Sequence, residues 1–144
     1  MIDDIRIIET PNNLVGISDD VYGGWWQGYQ SAGGIGCNYT FNPIVQATAN
    51  PYSLEAVVAN TGAASQTMRL DAEIKDGIQS TVFTSSSPSM VLGPSQQDTF
   101  VVSQQFSPLS TGQYDIKMWG VGDSAFTDTV SFQTIVTDYI YGKD

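Results

Sequence analysis

The chain is 144 residues long and carries 15 acidic against 5 basic side chains, a net charge of −10, with one cysteine and no histidine. Such a chain, lacking any Lys/Arg cluster, repels phosphate backbones and anionic headgroups, which argues against nucleic acid as a partner and against membrane insertion. Without imidazole there is no Ser/His/Asp or Cys/His nucleophile system and no His-containing zinc site, and a lone Cys37 forms no intrachain disulfide.

This is a one-domain length, and its 14% charged residues fall well below the usual share of about 25%. Ser, Thr, Asn and Gln supply the polar surface instead, as suits an extracellular β-rich domain. No apolar run approaches the roughly 20 residues of a membrane span, and Met1-Ile-Asp-Asp4 has neither the basic nor the apolar region of a signal peptide. An exported chain of this kind is expected to be a piece of something longer.

Gly, Pro, Ser/Thr clusters and β-branched residues recur too often for a helical stripe to persist, so strands are expected almost throughout. Ile5-Arg-Ile-Ile8 reads as a strand ended by Pro11-Asn-Asn13. The glycine- and aromatic-rich segment from Val21 to Cys37 has no period and reads as a long loop, its Trp25, Trp26 and Tyr29 pinned against the sandwich or a neighbouring domain. Alternation begins with Leu54-Glu-Ala-Val-Val-Ala-Asn60. It becomes strict in 67–75, where Met68, Leu70, Ala72 and Ile74 interleave with Arg69, Asp71, Glu73 and Lys75. The same period recurs at Phe100 and Val102, at Tyr114, Ile116 and Met118 against Gln113, Asp115 and Lys117, and at Val130, Phe132 and Thr134.

Turn chemistry separates these runs at Asn60-Thr-Gly62, Asp76-Gly77, Leu92-Gly-Pro94 and Ser107-Pro-Leu-Ser-Thr-Gly112. The pattern predicts an all-β, immunoglobulin-like antiparallel sandwich of about seven strands over 39–137. Residues 1–38 precede it as a strand and aromatic loop, and 138–144 link it to a following domain. In the first turn Gly62 is expected to supply a positive φ while the Asn60 side chain bonds nearby backbone. Tyr114, just after Gly112 at a strand start, is placed like a tyrosine corner, with its ring buried and its hydroxyl on an upstream backbone group; an ordinary core tyrosine is the alternative.

The stretches Tyr39-Thr-Phe-Asn-Pro-Ile-Val-Gln46, Leu54-Glu-Ala-Val-Val-Ala-Asn-Thr-Gly62, Leu92-Gly-Pro94 and Phe106-Ser-Pro-Leu-Ser-Thr-Gly-Gln-Tyr114 together resemble the bacterial cell-adhesion-related (CARDB-like) immunoglobulin-like modules, relatives of fibronectin type III sandwiches. Such modules recur in large surface proteins of bacteria that use type 9 secretion. Met1–Ile8 resembles the closing strand of a preceding jelly-roll domain, and Val136-Thr-Asp-Tyr-Ile-Tyr141 the lead-in to a following one. The segment from Val21 to Cys37 departs from the family pattern. The resemblance implies a non-catalytic spacer or adhesion module on the cell surface, with neighbouring domains of the same polypeptide, other surface proteins or glycans as partners, and no catalytic residues to carry over.

Carboxylates are the plentiful chemical group. Asp3-Asp4, Asp19-Asp20 and the pair Asp123 and Asp128 offer the hard oxygen ligands calcium prefers, with Asp19 and Asp20 the leading candidates, although none has the spacing of a dedicated loop and solvated turn acids are the simpler reading. No other cofactor is expected. A two-carboxylate glycosidase is the enzyme class that survives the lack of histidine, but Glu55 and Glu73 fall on the polar phase of their strands and are expected to face water, leaving Glu9 alone. Trp25, Trp26 and Tyr29, with Gln27 and Gln30, form an alternative carbohydrate platform; against it stands the loop-locking role common for large rings beside Gly23-Gly24 and Gly33-Gly34.

Overall fold

The computed structural model describes residues 8–22, 40–123 and 128–139. These form an all-β sandwich of two sheets. The smaller sheet holds β1 (Val15–Val21), β3 (Glu55–Asn60) and β7 (Gln97–Val101) in the order β1-β3-β7, all antiparallel. The larger contains β2 (Phe41–Pro43), β4 (Gln66–Asp76), β5 (Thr81–Ser86), β6 (Met90–Leu92), β8 (Gly112–Val121) and β9 (Thr129–Thr137). Its order is β2-β9-β8-β4-β5, with β6 laid on β4 beyond the end of β5 and β2 running parallel to β9.

The central ladder follows directly from the alternation. β4 pairs with β8 from Arg69↔Val121 to Asp76↔Tyr114, so Leu70, Ala72 and Ile74 meet Gly120, Met118 and Ile116 on the inner face. Ala56, Val58 and Phe100 of the smaller sheet close the core from the other side, together with Leu54, Tyr52 and Phe106. Phe106 packs edge-on against Tyr114, their ring centroids 5.3 Å apart.

The sandwich starts earlier than the alternation placed it, since β1 lies well before residue 39 and sends Val15 into the core. Nine strands are present among the described residues, where about seven were expected; the short β2 and the early β1 are the additions. One helix, α1 (Ile44–Ala49), follows β2 with no side-chain cap, and only Ala47 is buried on it. Glu55 also corrects its expected placement. It is 1% exposed, and Val57 beside it is 8%, so β3 is shielded from water on both faces rather than alternating.

The strands run between two poles. At the first, residues 11–14 lie against the β3–β4 turn through Thr61 N–H to Leu14 O (3.2 Å), Ala63 N–H to Pro11 O (3.0 Å) and Ala64 N–H to Asn12 O (3.1 Å). At the second, Gly112 pairs with Val136 beside the β4–β5 turn, and the described chain ends at Asp138 and Tyr139. Tyr22 and Thr40 both dock on β9: Tyr22 stacks on Phe132 at 4.2 Å, and the Thr40 carbonyl accepts the Ile135 N–H at 2.6 Å.

Candidate functional site

The polar turn that opens β4 is built around one side chain. Asn60 is fully buried and makes four hydrogen bonds. Its Nδ2 donates to the carbonyls of Ala64 (2.8 Å) and Leu92 (2.9 Å), while its Oδ1 accepts from Gly62 N–H (3.0 Å) and Gln66 Nε2 (2.6 Å). Gln66, equally buried, also donates to Leu14 O (2.9 Å) and accepts from Asp123 N–H (3.3 Å). The first pole is thereby pinned from four segments. Gly62 corrects its expected role, because the positive φ among the described glycines belongs to Gly112 (φ 136°). What forbids a side chain at Gly62 is space: a Cβ would collide with the Asn12 carbonyl and reach within 2.8 Å of Leu14 N.

At the second pole Tyr114 is buried and its hydroxyl donates to the Ser110 carbonyl, four residues upstream, at 2.9 Å. Tyr52 is its contrast. Its ring is fully buried with Asn42 and Thr134 as polar neighbours, its hydroxyl makes no well-formed hydrogen bond among the described residues, and burial pushes the phenol above its ordinary 10.0 against the lowering pull of Thr134 and Asn42.

The outer face of the larger sheet is an open grid of charge. Arg69, Asp71, Glu73 and Lys75 of β4 lie opposite Val121, Trp119, Lys117 and Asp115 of β8. Arg69 grips Asp71 bidentately at 2.8 and 3.0 Å, a hydrogen bond that holds the guanidinium above its ordinary range. Glu73 accepts from Thr81 Oγ1 at 2.8 Å and Asp115 from Gln79 Nε2 at 2.6 Å. A shallow groove of about 420 Å³ crosses these rows, lined by Glu73, Lys75, Gln79, Asp115, Lys117 and Gln133. Beside it Trp119 is half-buried, with the Lys117 ammonium 5.5 Å from its ring centroid. All three described basic residues, Arg69, Lys75 and Lys117, stand on this face against Asp71, Glu73 and Asp115, so the grid is charge-balanced on a strongly acidic body. Reading the sequence missed Trp119, yet its phase with Gln113, Asp115 and Lys117 is the signal that could have found it.

The structure separates the acidic candidates. Asp19 is exposed at φ 49° and Asp20 half-buried on β1, while Asp123 and Asp128 accept backbone N–H groups from Thr67 (3.1 Å) and Ile17 (3.2 Å). Among the described residues no three Asp, Glu, Cys or His side chains come together as a metal cluster. Glu9 lies at the first pole and Glu55 in the interior, far from the face that holds Glu73. Trp25, Trp26, Tyr29, Cys37, Asp3 and Asp4 lie outside the described residues.

Among solved structures, the CARDB domain of a Pyrococcus furiosus protein, determined in complex with di-metal ions, matches 95% of this chain and 99% of its own at a TM-score of 0.52 and 12% identity. The fold is CARDB-like. An alkylpurine DNA glycosylase from Pseudomonas fluorescens, bound to DNA containing an abasic-site analogue, matches 85% of this chain at a TM-score of 0.53 and 11% identity. The match spans 30% of the glycosylase chain, and at such identities the likeness concerns the fold alone. No family model and no curated protein matches the sequence.

Proposed function

We propose that this CARDB-like sandwich is a non-catalytic structural module of a larger bacterial surface protein exported by the type 9 route, spacing neighbouring domains and contributing to adhesion outside the cell. The pole-to-pole path carries the reading. β1 leaves the first pole at Val15 and β9 reaches the second at Thr137, so a pull applied through flanking domains beyond these two strands runs along them and loads the β1–β3 and β8–β9 ladders in shear. The CARDB-like fold and the acidic, histidine-free sequence agree with such a part.

Two measurements test it. Antibodies raised against the chain should label intact cells of the source bacterium; labelling only after lysis refutes export. In single-molecule pulling, attachment at residues 8 and 139 should need clearly more force than attachment at 8 and 63, which share a pole, and equal forces would remove the load-bearing role.

Carbohydrate binding is a second reading, favoured by Trp119, whose ring lies beside the Arg69–Asp71 pair and the Lys117 ammonium on an open sheet face. Titration with neutral oligosaccharides should then give heat that Trp119→Ala abolishes, and heat unchanged by that substitution sets this face aside.

A further inference from the structure

The groove on the outer face holds its polar groups in place and leaves no charge uncompensated. Glu73 Oε1 accepts from Thr81 Oγ1 at 2.8 Å, with Lys75 Nζ 3.6 Å away. Asp115 is held at both oxygens, by Gln113 Nε2 at 3.0 Å and by Gln79 Nε2 at 2.6 Å. Across the β4–β8 pair Lys75 stands opposite Asp115 and Lys117 opposite Glu73, so each ammonium already faces a carboxylate. On β9 the neighbours are uncharged and exposed: Thr129 opposite Trp119, Ser131 opposite Lys117 and Gln133 opposite Asp115.

The strands give the groove its direction. Trp119, Lys117 and Asp115 occupy every second place on β8 and share one face, and four residues of antiparallel strand span about 14 Å. Such a site is longer than one sugar ring. Trp119 marks one end, and Lys117, whose ammonium lies 5.5 Å from the centre of that ring, also lines the groove that continues to Asp115 and Gln133.

We propose that the groove takes a neutral, unbranched oligosaccharide of β-linked pyranoses lying along β8, with one ring stacked on Trp119 and the hydroxyls of the following rings bonded to Glu73, Asp115 and Gln133. The inference rests on the carbohydrate reading of Trp119 and adds the charge class and course of the ligand. Charge selects against anionic glycans, which meet a body of −10 and find every described cation of the grid already opposed by a carboxylate. Hydroxyls donate and accept at once. They suit a surface on which fixed carboxylate oxygens accept while the Lys75 and Lys117 ammonium groups and the Gln133 amide donate. Pyranoses with equatorial substituents and linkages offer a flat C–H face to the indole and form a straight chain, as a groove along a strand requires.

Calorimetric titration of the chain with glucose, cellotetraose, xylotetraose and tetragalacturonate tests this. Heat is expected from the neutral tetrasaccharides and not from glucose or tetragalacturonate, with an affinity that stays constant between about 0.05 and 0.5 M NaCl because no ion pair forms with the ligand. Glu73→Gln and Asp115→Asn keep the shape of each side chain and remove a charged acceptor; each should weaken binding about tenfold or more while the melting temperature stays nearly unchanged. Asp98→Asn, which removes a charge from β7 in the other sheet, should leave binding as it is. In the wild-type chain, which needs no substitution, the backbone amide signals of 73–75 and 115–119 should shift as cellotetraose is added. Heat that Trp119→Ala abolishes but Glu73→Gln and Asp115→Asn both preserve overturns this inference and leaves the carbohydrate reading standing, as does a preference for tetragalacturonate. Absence of heat with all four saccharides removes both.

Discussion

Replacing Asn60 by Ala removes four hydrogen bonds at a fully buried position: two donated to Ala64 and Leu92 carbonyls and two accepted from Gly62 N–H and Gln66 Nε2. At about 1 kcal/mol net for each bond, and with buried partners left unsatisfied, the loss comes to about 3–4 kcal/mol, a large share of the roughly 5–15 kcal/mol that holds a domain folded. Urea unfolding followed by circular dichroism should show the midpoint falling with the slope unchanged. Asn60→Asp sharpens the test. The carboxylate keeps an acceptor for Gly62 and Gln66 but turns its second oxygen toward the Ala64 and Leu92 carbonyls, which disfavours its charged form and raises its folded pKa above the unfolded value of about 3.9. Its deficit relative to wild type is therefore smallest below about pH 4, where the acid is protonated in both states, and grows as pH rises. A cost under about 1 kcal/mol for Asn60→Ala, or a deficit for Asn60→Asp that is equal at pH 3.5 and pH 7, would refute the assignment of Asn60 as the anchor of this pole.

The two buried tyrosines should respond in opposite directions. Tyr114→Phe loses the bond to Ser110 and should cost about 1 kcal/mol, whereas Tyr52→Phe deletes a buried hydroxyl that makes no well-formed hydrogen bond among the described residues and should be neutral or stabilising in thermal melts. Because burial holds the Tyr52 phenol above its ordinary 10.0, its contribution to stability is intact below pH 10 and is lost as pH climbs through the raised value; Tyr52→Phe should flatten the fall in stability in that alkaline window. Gly62→Ala should cost about 1–3 kcal/mol through the clash with the Asn12 backbone, read by the same urea titration, and a cost near zero would mean that residues 12–14 move aside freely.

The strands legible in the sequence are those with one wet face. In β4 and β8 the apolar residues occupy every second place because the outer grid is solvated, so phase and pairing partner both show through. β3 breaks the inference. Its two shielded faces leave a nearly continuous apolar run in which Glu55 is read as a surface residue although it is interior. β1 is hidden for another reason, since the left-handed Asp19 and the bulge before Val21 disrupt the alternation begun at Val15 and Ile17. Gly62 announces itself as a special position, but local sequence does not distinguish a required φ from the close approach of a segment fifty residues away. Asp123 and Asp128 are visible as acids, but their capping role is not, for the same cause: the backbone groups they cap, on Thr67 and Ile17, are distant in sequence and become neighbours only after folding.

The β4–β8 ladder also sets the order of assembly. Its partners, Asp76↔Tyr114 to Arg69↔Val121, are roughly 40–50 residues apart in the chain, a separation that makes their closure slow compared with the adjacent β4–β5 and β8–β9 pairings. These two hairpins form early, and each bares its inner face until the other arrives. Leu70 and Ile74 on one side, with Ile116 and Met118 on the other, are then open to any chain nearby. The barrier to a native fold is the meeting of two half-sheets, and dilution and low temperature during refolding should raise the yield by giving that meeting time to happen within a single chain.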